Sequence, residues 1–181
     1  MPVLTRSSTT SQASPEIDAV VVGAGFAGLY ALHRLRGLGL RVRVFEAGGG
    51  IGGTWFWNQY PGARCDIESL GYSYFFCEAL QQDWQWSERY AAQPELLRYI
   101  SHVADRFDLR RQVELNTRVD QAEFDPQTDV WTVVTNRAER IRLTCRPSRP
   151  AMRTDEVAAS GYAGFRLTSS ATQAEALASV G

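Results

Sequence analysis

An α/β fold, with a parallel sheet followed by a small antiparallel meander, is predicted by three observations. Ala19-Val20-Val21-Val22 is a short, apolar, β-branched run, as a strand buried on both faces requires. A glycine cluster and a stretch of apolar residues at helical spacing, Leu29 to Arg36, follow it. Arg41-Val42-Arg43-Val44-Phe45-Glu46 then alternates as a second strand. Strand, helix and strand make one βαβ unit, right-handed by default.

The chain has 181 residues, 44% hydrophobic and 22% charged, with a formal net charge of −1. That is a globular balance, and no strong field attracts nucleic acid or an anionic membrane. Cys65, Cys77 and Cys145 are odd in number and lack CxxC spacing. They predict a reducing, cytoplasmic setting with neither a disulfide framework nor a metal site. The first residues are rich in Ser and Thr and lack the apolar core of a signal peptide. No run of apolar residues is long enough to span a membrane. Residues 1–16 are expected to form a disordered arm.

The helix after the glycine cluster should stop at Gly37 and Gly39. Ala47 to Phe76 reads as a long loop, with six glycines between Gly48 and Gly62. Such loops in compact domains carry function. A second helix is predicted from Gln93, with Pro94 and Glu95 suiting its first turn. Leu96, Leu97, Ile100, Val103, Ala104 and Phe107 fall on one face. Val113 to Leu115 predicts a third strand. The meander follows as 118–124, 130–135 and 139–143, with a turn at Asp125-Pro126. From Leu143 the composition shifts to Ala, Ser, Thr and Arg, and residues 143–181 are expected to be a poorly ordered tail. Within it, 161–168 is a weak strand candidate and 172–180 a weak helix candidate.

Gly23-Ala24-Gly25-Phe26-Ala27-Gly28 is a GxGxxG sequence between a buried strand and a helix. Gly23 permits the tight turn, Gly25 lets a pyrophosphate approach the backbone, and Gly28 lets helix and strand pack closely. Amides at the helix start then bind phosphate, helped by the dipole. Glu46 ends the second strand 18 residues after Gly28. A carboxylate there accepts hydrogen bonds from ribose hydroxyls and repels a 2′-phosphate, favouring FAD or NAD over NADP at this site. A purely structural glycine turn and a solvated strand-end Glu are the competing explanations. In the loop, Gly52 and Gly53 allow close backbone approach, and Thr54 offers a hydroxyl. Trp55 and Trp57 offer flat faces to a planar ligand, and Arg64 and Asp66 offer charge after the Tyr60-Pro61-Gly62 turn. Composition alone explains this loop equally well as an aromatic satellite core.

Residues 17–142 resemble the N-terminal FAD-binding part of Baeyer–Villiger monooxygenases of the cyclohexanone and phenylacetone type. The resemblance rests on VVVGAGFAGLYALHRLR, FEAGGGIGGTWFWNQYPGARCDIES, YSYFF and WSERYAAQPELLRYISHVADRFDLR. Gln59 departs from the Arg usual before the Tyr-Pro pair. The resemblance implies a glutathione-reductase-type, Rossmann-like domain with the FAD pyrophosphate at Gly23, Gly25, Phe26, Ala27 and Gly28. It implies the adenosine ribose at Glu46, the flavin beside Thr54, Trp55 and Trp57, and Asp66 and Tyr72 near the isoalloxazine. Arg118 and Val119 would meet the adenine end, and the Arg64 to Asp66 stretch would border the nicotinamide. Asp66 would support catalysis by orienting an arginine. The implied reaction uses NADPH and a peroxyflavin to insert oxygen into a small ketone, giving an ester or lactone. A second GxGxxG for NADPH, the linking His and Trp-Pro fingerprint and the catalytic arginine have no counterparts in this chain. The two prolines of Cys145 to Pro150 stand where the resemblance implies a sheet strand, which predicts a truncated or frameshifted product with weak flavin retention and no activity alone. A flavin-containing or N-hydroxylating monooxygenase, and a simple NAD dehydrogenase, are the alternatives.

Overall fold

The computed structural model describes residues 17–144 and the pair Leu167–Thr168. The expected βαβ unit is present as β1 (Ala19–Val22), α1 (Phe26–Gly37) and β2 (Val42–Phe45), with Ala19 opposite Val42 and Val22 opposite Phe45 in a parallel ladder. The predicted third strand, β3 (Val113–Glu114), pairs in parallel with the other edge of β2. The sheet order is therefore β1-β2-β3.

Strand periodicity divides the core into two layers. Val21, Val42 and Val44 point to one face, where Leu29, Leu32 and Leu35 of α1 meet Ile100 and Ala104 of α4 (Gln93–Arg106). Val20, Val22 and Phe45 point to the other, against Val119, Ala122, Val133 and Ile141. Those four residues belong to the meander of β4 (Val119–Asp125), β5 (Val130–Thr135) and β6 (Arg140–Thr144). A helical layer, a parallel sheet and an antiparallel sheet thus stack around two apolar seams. Arg43 shares the meander-facing side and fastens it. Its guanidinium donates to both carboxylate oxygens of Glu114, at 2.6 and 2.9 Å, and to both of Glu139, at 2.6 and 3.0 Å. Those bonds raise the Arg43 pKa, Glu114 contributing most, and pull Glu139 below the usual carboxylate range.

α4 begins where Pro94 and Glu95 predicted. Its inward face includes Tyr99, buried to 1% exposure and absent from the expected set. The expected single loop over 47–76 is corrected. Thr54–Trp57 forms α2, and Glu78–Asp83 forms α3 just beyond it. Both are too short for periodicity to reveal. The meander strands lie within a residue of the predicted bounds, and β6 continues through Leu143 and Thr144. Leu167–Thr168 forms β7, parallel to β4 at Ala122 and Glu123, inside the weak strand candidate. The arm over 1–16 and the helix candidate over 172–180 lie outside the described residues.

Candidate functional site

The glycine turn has the backbone demands read from its sequence. Gly23 has φ +92° and donates its N–H to Phe45 O at 2.7 Å, tying the turn to the end of β2. A Cβ on Gly28 would lie 1.9 Å from Gly23 O, so only glycine lets α1 cross β1 this closely. Gly25 caps α1 without a side chain, and no acidic residue occupies the first turn. The first amides therefore point out of the helix with the positive end of its dipole. Phe26 supplies only its backbone there. Its ring turns inward, 5.0 Å from Tyr72 and 5.2 Å from Tyr74.

Glu46 is 4% exposed and sits between two glycine segments. One carboxylate oxygen accepts Ala24 N–H at 2.6 Å and the other Gly48 N–H at 2.7 Å. Its carbonyl accepts Thr117 N–H at 2.8 Å. A carboxylate has about four lone-pair positions, so each oxygen keeps capacity for a hydroxyl donor. Gly48 and Thr117 were not read from the sequence as site residues, although the glycine run itself signalled a close approach.

The reading of Gly25 needs refinement. A Cβ there would lie 3.3 Å from Gly53 Cα, and one on Gly53 would lie 2.9 Å from Gly25 Cα. The bare backbone of Gly25 serves its contact with the second glycine segment. Gly52 N–H also donates to Ala24 O at 2.9 Å, and Gly53 has φ +55°. The two glycine segments, remote in sequence, form one backbone surface beside Glu46.

α2 starts from that surface. Thr54 is exposed, and Trp55 is buried. The Trp55 Nε1–H donates to the Tyr72 hydroxyl at 3.2 Å, with the rings edge-on at 5.9 Å. Burial, foremost, raises the Tyr72 pKa, with Cys65 and Asp66 adding to it. Gln93, at the start of α4, donates its side-chain amide to Trp55 O and its backbone N–H to Ala63 O. It is the link from α4 to this loop that sequence patterning did not reveal. Phe56 and Trp57 cover the neighbouring glycines: a Cβ on Gly48 would lie 2.8 Å from one and 3.0 Å from the other. Trp57 is nevertheless about half exposed.

Other expected residues lie further out. Arg64 donates to Glu88 Oε2 at 2.9 Å and to Tyr90 O at 3.2 Å, flanking buried Cys65. Asp66 is exposed beside Tyr72. Val119 buries its side chain between the sheets, leaving only its backbone for a ligand, and Arg118 pairs with Asp120 at 2.7 Å. Among the described residues no group of three or more His, Cys, Asp or Glu is arranged to hold a metal. Among them also, no helix is long and apolar enough to cross a membrane.

Residues 21–85 match the NAD(P)-binding Rossmann-like domain family. A phenazine N-monooxygenase of Lysobacter antibioticus is 49% identical over 123 residues, 67% of this chain and 23% of that protein. A Baeyer–Villiger monooxygenase of Pseudooceanicola batsensis is 44% identical over 137 residues, 75% of this chain and 25% of the relative. An oxidised steroid monooxygenase bound to NADP superposes with a TM-score of 0.69 at 58% identity, covering 71% of this chain and 25% of that one. A solved complex with FAD and NADP is 42% identical at a TM-score of 0.67, covering 72% and 25%. The chain spans about a quarter of the length of the curated relatives it matches.

Proposed function

Because this chain is homologous to the N-terminal, FAD-binding quarter of Baeyer–Villiger monooxygenases, we propose that it forms the FAD site of a flavin- and NADPH-dependent monooxygenase acting on small ketones. The single observation that carries this is the junction at Glu46. A buried carboxylate, an uncapped helix start and two bare glycine backbones meet at one point. That donor set fits a dinucleotide. The amides of Phe26 and Ala27, at the start of α1, take the diphosphate. Glu46 accepts from the adenosine ribose with its remaining lone pairs, and its charge excludes a 2′-phosphate.

Trp55 and Tyr72 pack the flavin side and keep water from it. Asp66, exposed next to them, supports catalysis by holding a cationic arginine in place. The Arg64 to Asp66 stretch borders the nicotinamide of NADPH. The backbone at Val119 meets the adenine. When bound, FAD would accept the hydride of NADPH and deliver oxygen to the ketone. The 49% identity to a phenazine N-monooxygenase supports a second reading, in which the same FAD site serves oxygen transfer to an aromatic nitrogen.

Titration of the chain with FAD, followed by flavin fluorescence and visible absorption, tests the reading. FAD is expected to bind weakly but saturably, as the missing sheet strand implies, with ADP competing and FMN, which lacks the adenosine half, binding more weakly still. Equal binding of FMN and FAD would refute the placement of the dinucleotide at Glu46.

A further inference from the structure

The rings around α4 form a continuous path. Trp55 meets Tyr72 at 5.9 Å between ring centres. Tyr72 meets Phe26 at 5.0 Å, and Phe26 stacks on Tyr99 at 6.0 Å. Tyr99 then meets Trp86 at 4.9 Å and Trp84 at 5.3 Å, and those two indoles lie 5.7 Å apart. One end, Trp55, is buried. The other, Trp84 and Trp86, is half-buried among exposed neighbours.

We propose that these rings are a path for single-electron transfer, carrying oxidising charge from Trp55 to Trp84 and Trp86. The indoles are its stations and the other rings its bridge. Oxidising a phenol at neutral pH requires its proton to leave, but the Tyr74 hydroxyl beside the bridge donates only to Phe26 O, which is no base. Burial holds the Tyr72 and Tyr99 protons in place as well. An indole can lose an electron without giving up its N–H proton in the same step. The N–H of Trp84 is buried with no hydrogen-bond partner among the described residues. Such a group costs stability and calls for an explanation, of which a redox role is one.

Trp55 gives one electron to a one-electron oxidant, such as a photoexcited flavin, which is reduced. Trp86 or Trp84 gives one electron to Trp55 and restores it. A solvent thiol gives one electron to the outer indole, releases its proton to water and becomes a thiyl radical, two of which combine to a disulfide. The benefit, removal of stray oxidising charge from a flavin, rests on the proposed FAD site; the path itself does not, and its test omits flavin.

The full chain is exposed to brief, low-conversion oxidation by photogenerated ruthenium(III) tris-bipyridine without added thiol, and damage at each tryptophan is read by peptide mass spectrometry. Trp57 and Trp131, outside the path, are the internal reference. In Trp84→Phe/Trp86→Phe, which keeps the rings but removes the outer stations, damage at Trp55 is expected to rise several-fold relative to the reference. Trp86→Tyr, whose phenol at this half-buried position can release its proton to water, should give less Trp55 damage than Trp86→Phe. The single Phe variants, each checked by circular dichroism, serve if the double variant does not fold. Trp55 damage equal to wild type in folded variants lacking Trp84 or Trp86 would overturn the proposal.

Discussion

The glycine turn and the aromatic loop lie side by side at one site but are held by different means. In the turn, backbone geometry decides. Gly23 needs positive φ, and Gly28 needs the absence of a Cβ. In the loop, side chains from distant elements decide. Trp55 is fixed by Tyr72 on one side and by Gln93 on the other. Local constraint is written locally, whereas a loop fixed by remote partners depends on the rest of the fold. Substitutions in the turn should therefore act on folding itself, and those in the loop chiefly on the site.

The largest expected effect is at Gly28. Gly28→Ala places a methyl on Gly23 O and should cost upwards of about 3 kcal/mol. Gly37→Ala, at the other end of α1 with open space around it, should be neutral or stabilise by about 0.5 kcal/mol. Denaturant midpoints of the pair measure the contrast, and similar costs would break it.

Glu46→Ala comes next. It strips the acceptor from the Ala24 and Gly48 amides, for a loss of about 3 kcal/mol, with faster amide exchange expected at both residues. Gln93→Leu should cost about 1 kcal/mol, seen as altered near-ultraviolet circular dichroism from Trp55 while α1 and the parallel sheet stay intact. Global unfolding by Gln93→Leu would mean that the loop is no separate region.

The smallest effect is at the Arg43 clamp. Arg43→Met should cost about 1 kcal/mol, since the clamp is partly exposed. The Glu139 pKa is lowered in the folded state by its bond to Arg43. Its stabilisation is therefore present above the ordinary Glu value of 4.5 and is lost as pH falls through the lowered folded value. The stability difference between wild type and Glu139→Gln should shrink on acidification through that range.

The same contrast explains what was legible beforehand. β1, α1 and β2 were readable because alternation, helical spacing and the glycine fingerprint all act within a few residues. α4 was readable from Pro94 and its apolar face. The junction at Glu46 was half legible: the spacing to Gly28 pointed to it, but its amide partner at Gly48 depends on the path of the chain after β2. α2 and α3 were not legible, having four and six residues, too few for a period to show. Gln93 reads as an ordinary first-turn residue, and only the fold brings it to Trp55. Gly25 was marked for a bare backbone because of a pyrophosphate, and nothing in the sequence signalled the close neighbour the fold sets there, Gly53, 28 positions further along the chain.

The central claim is that the start of α1 and the Glu46 junction together hold a nucleoside diphosphate. A titration of the isotope-labelled chain with ADP, followed through backbone amide resonances, tests it most directly. The account predicts saturable shifts concentrated at Ala24, Gly25, Phe26, Ala27 and Gly48, weakened in Glu46→Gln. Shifts absent from those amides, or centred on the meander, would contradict it.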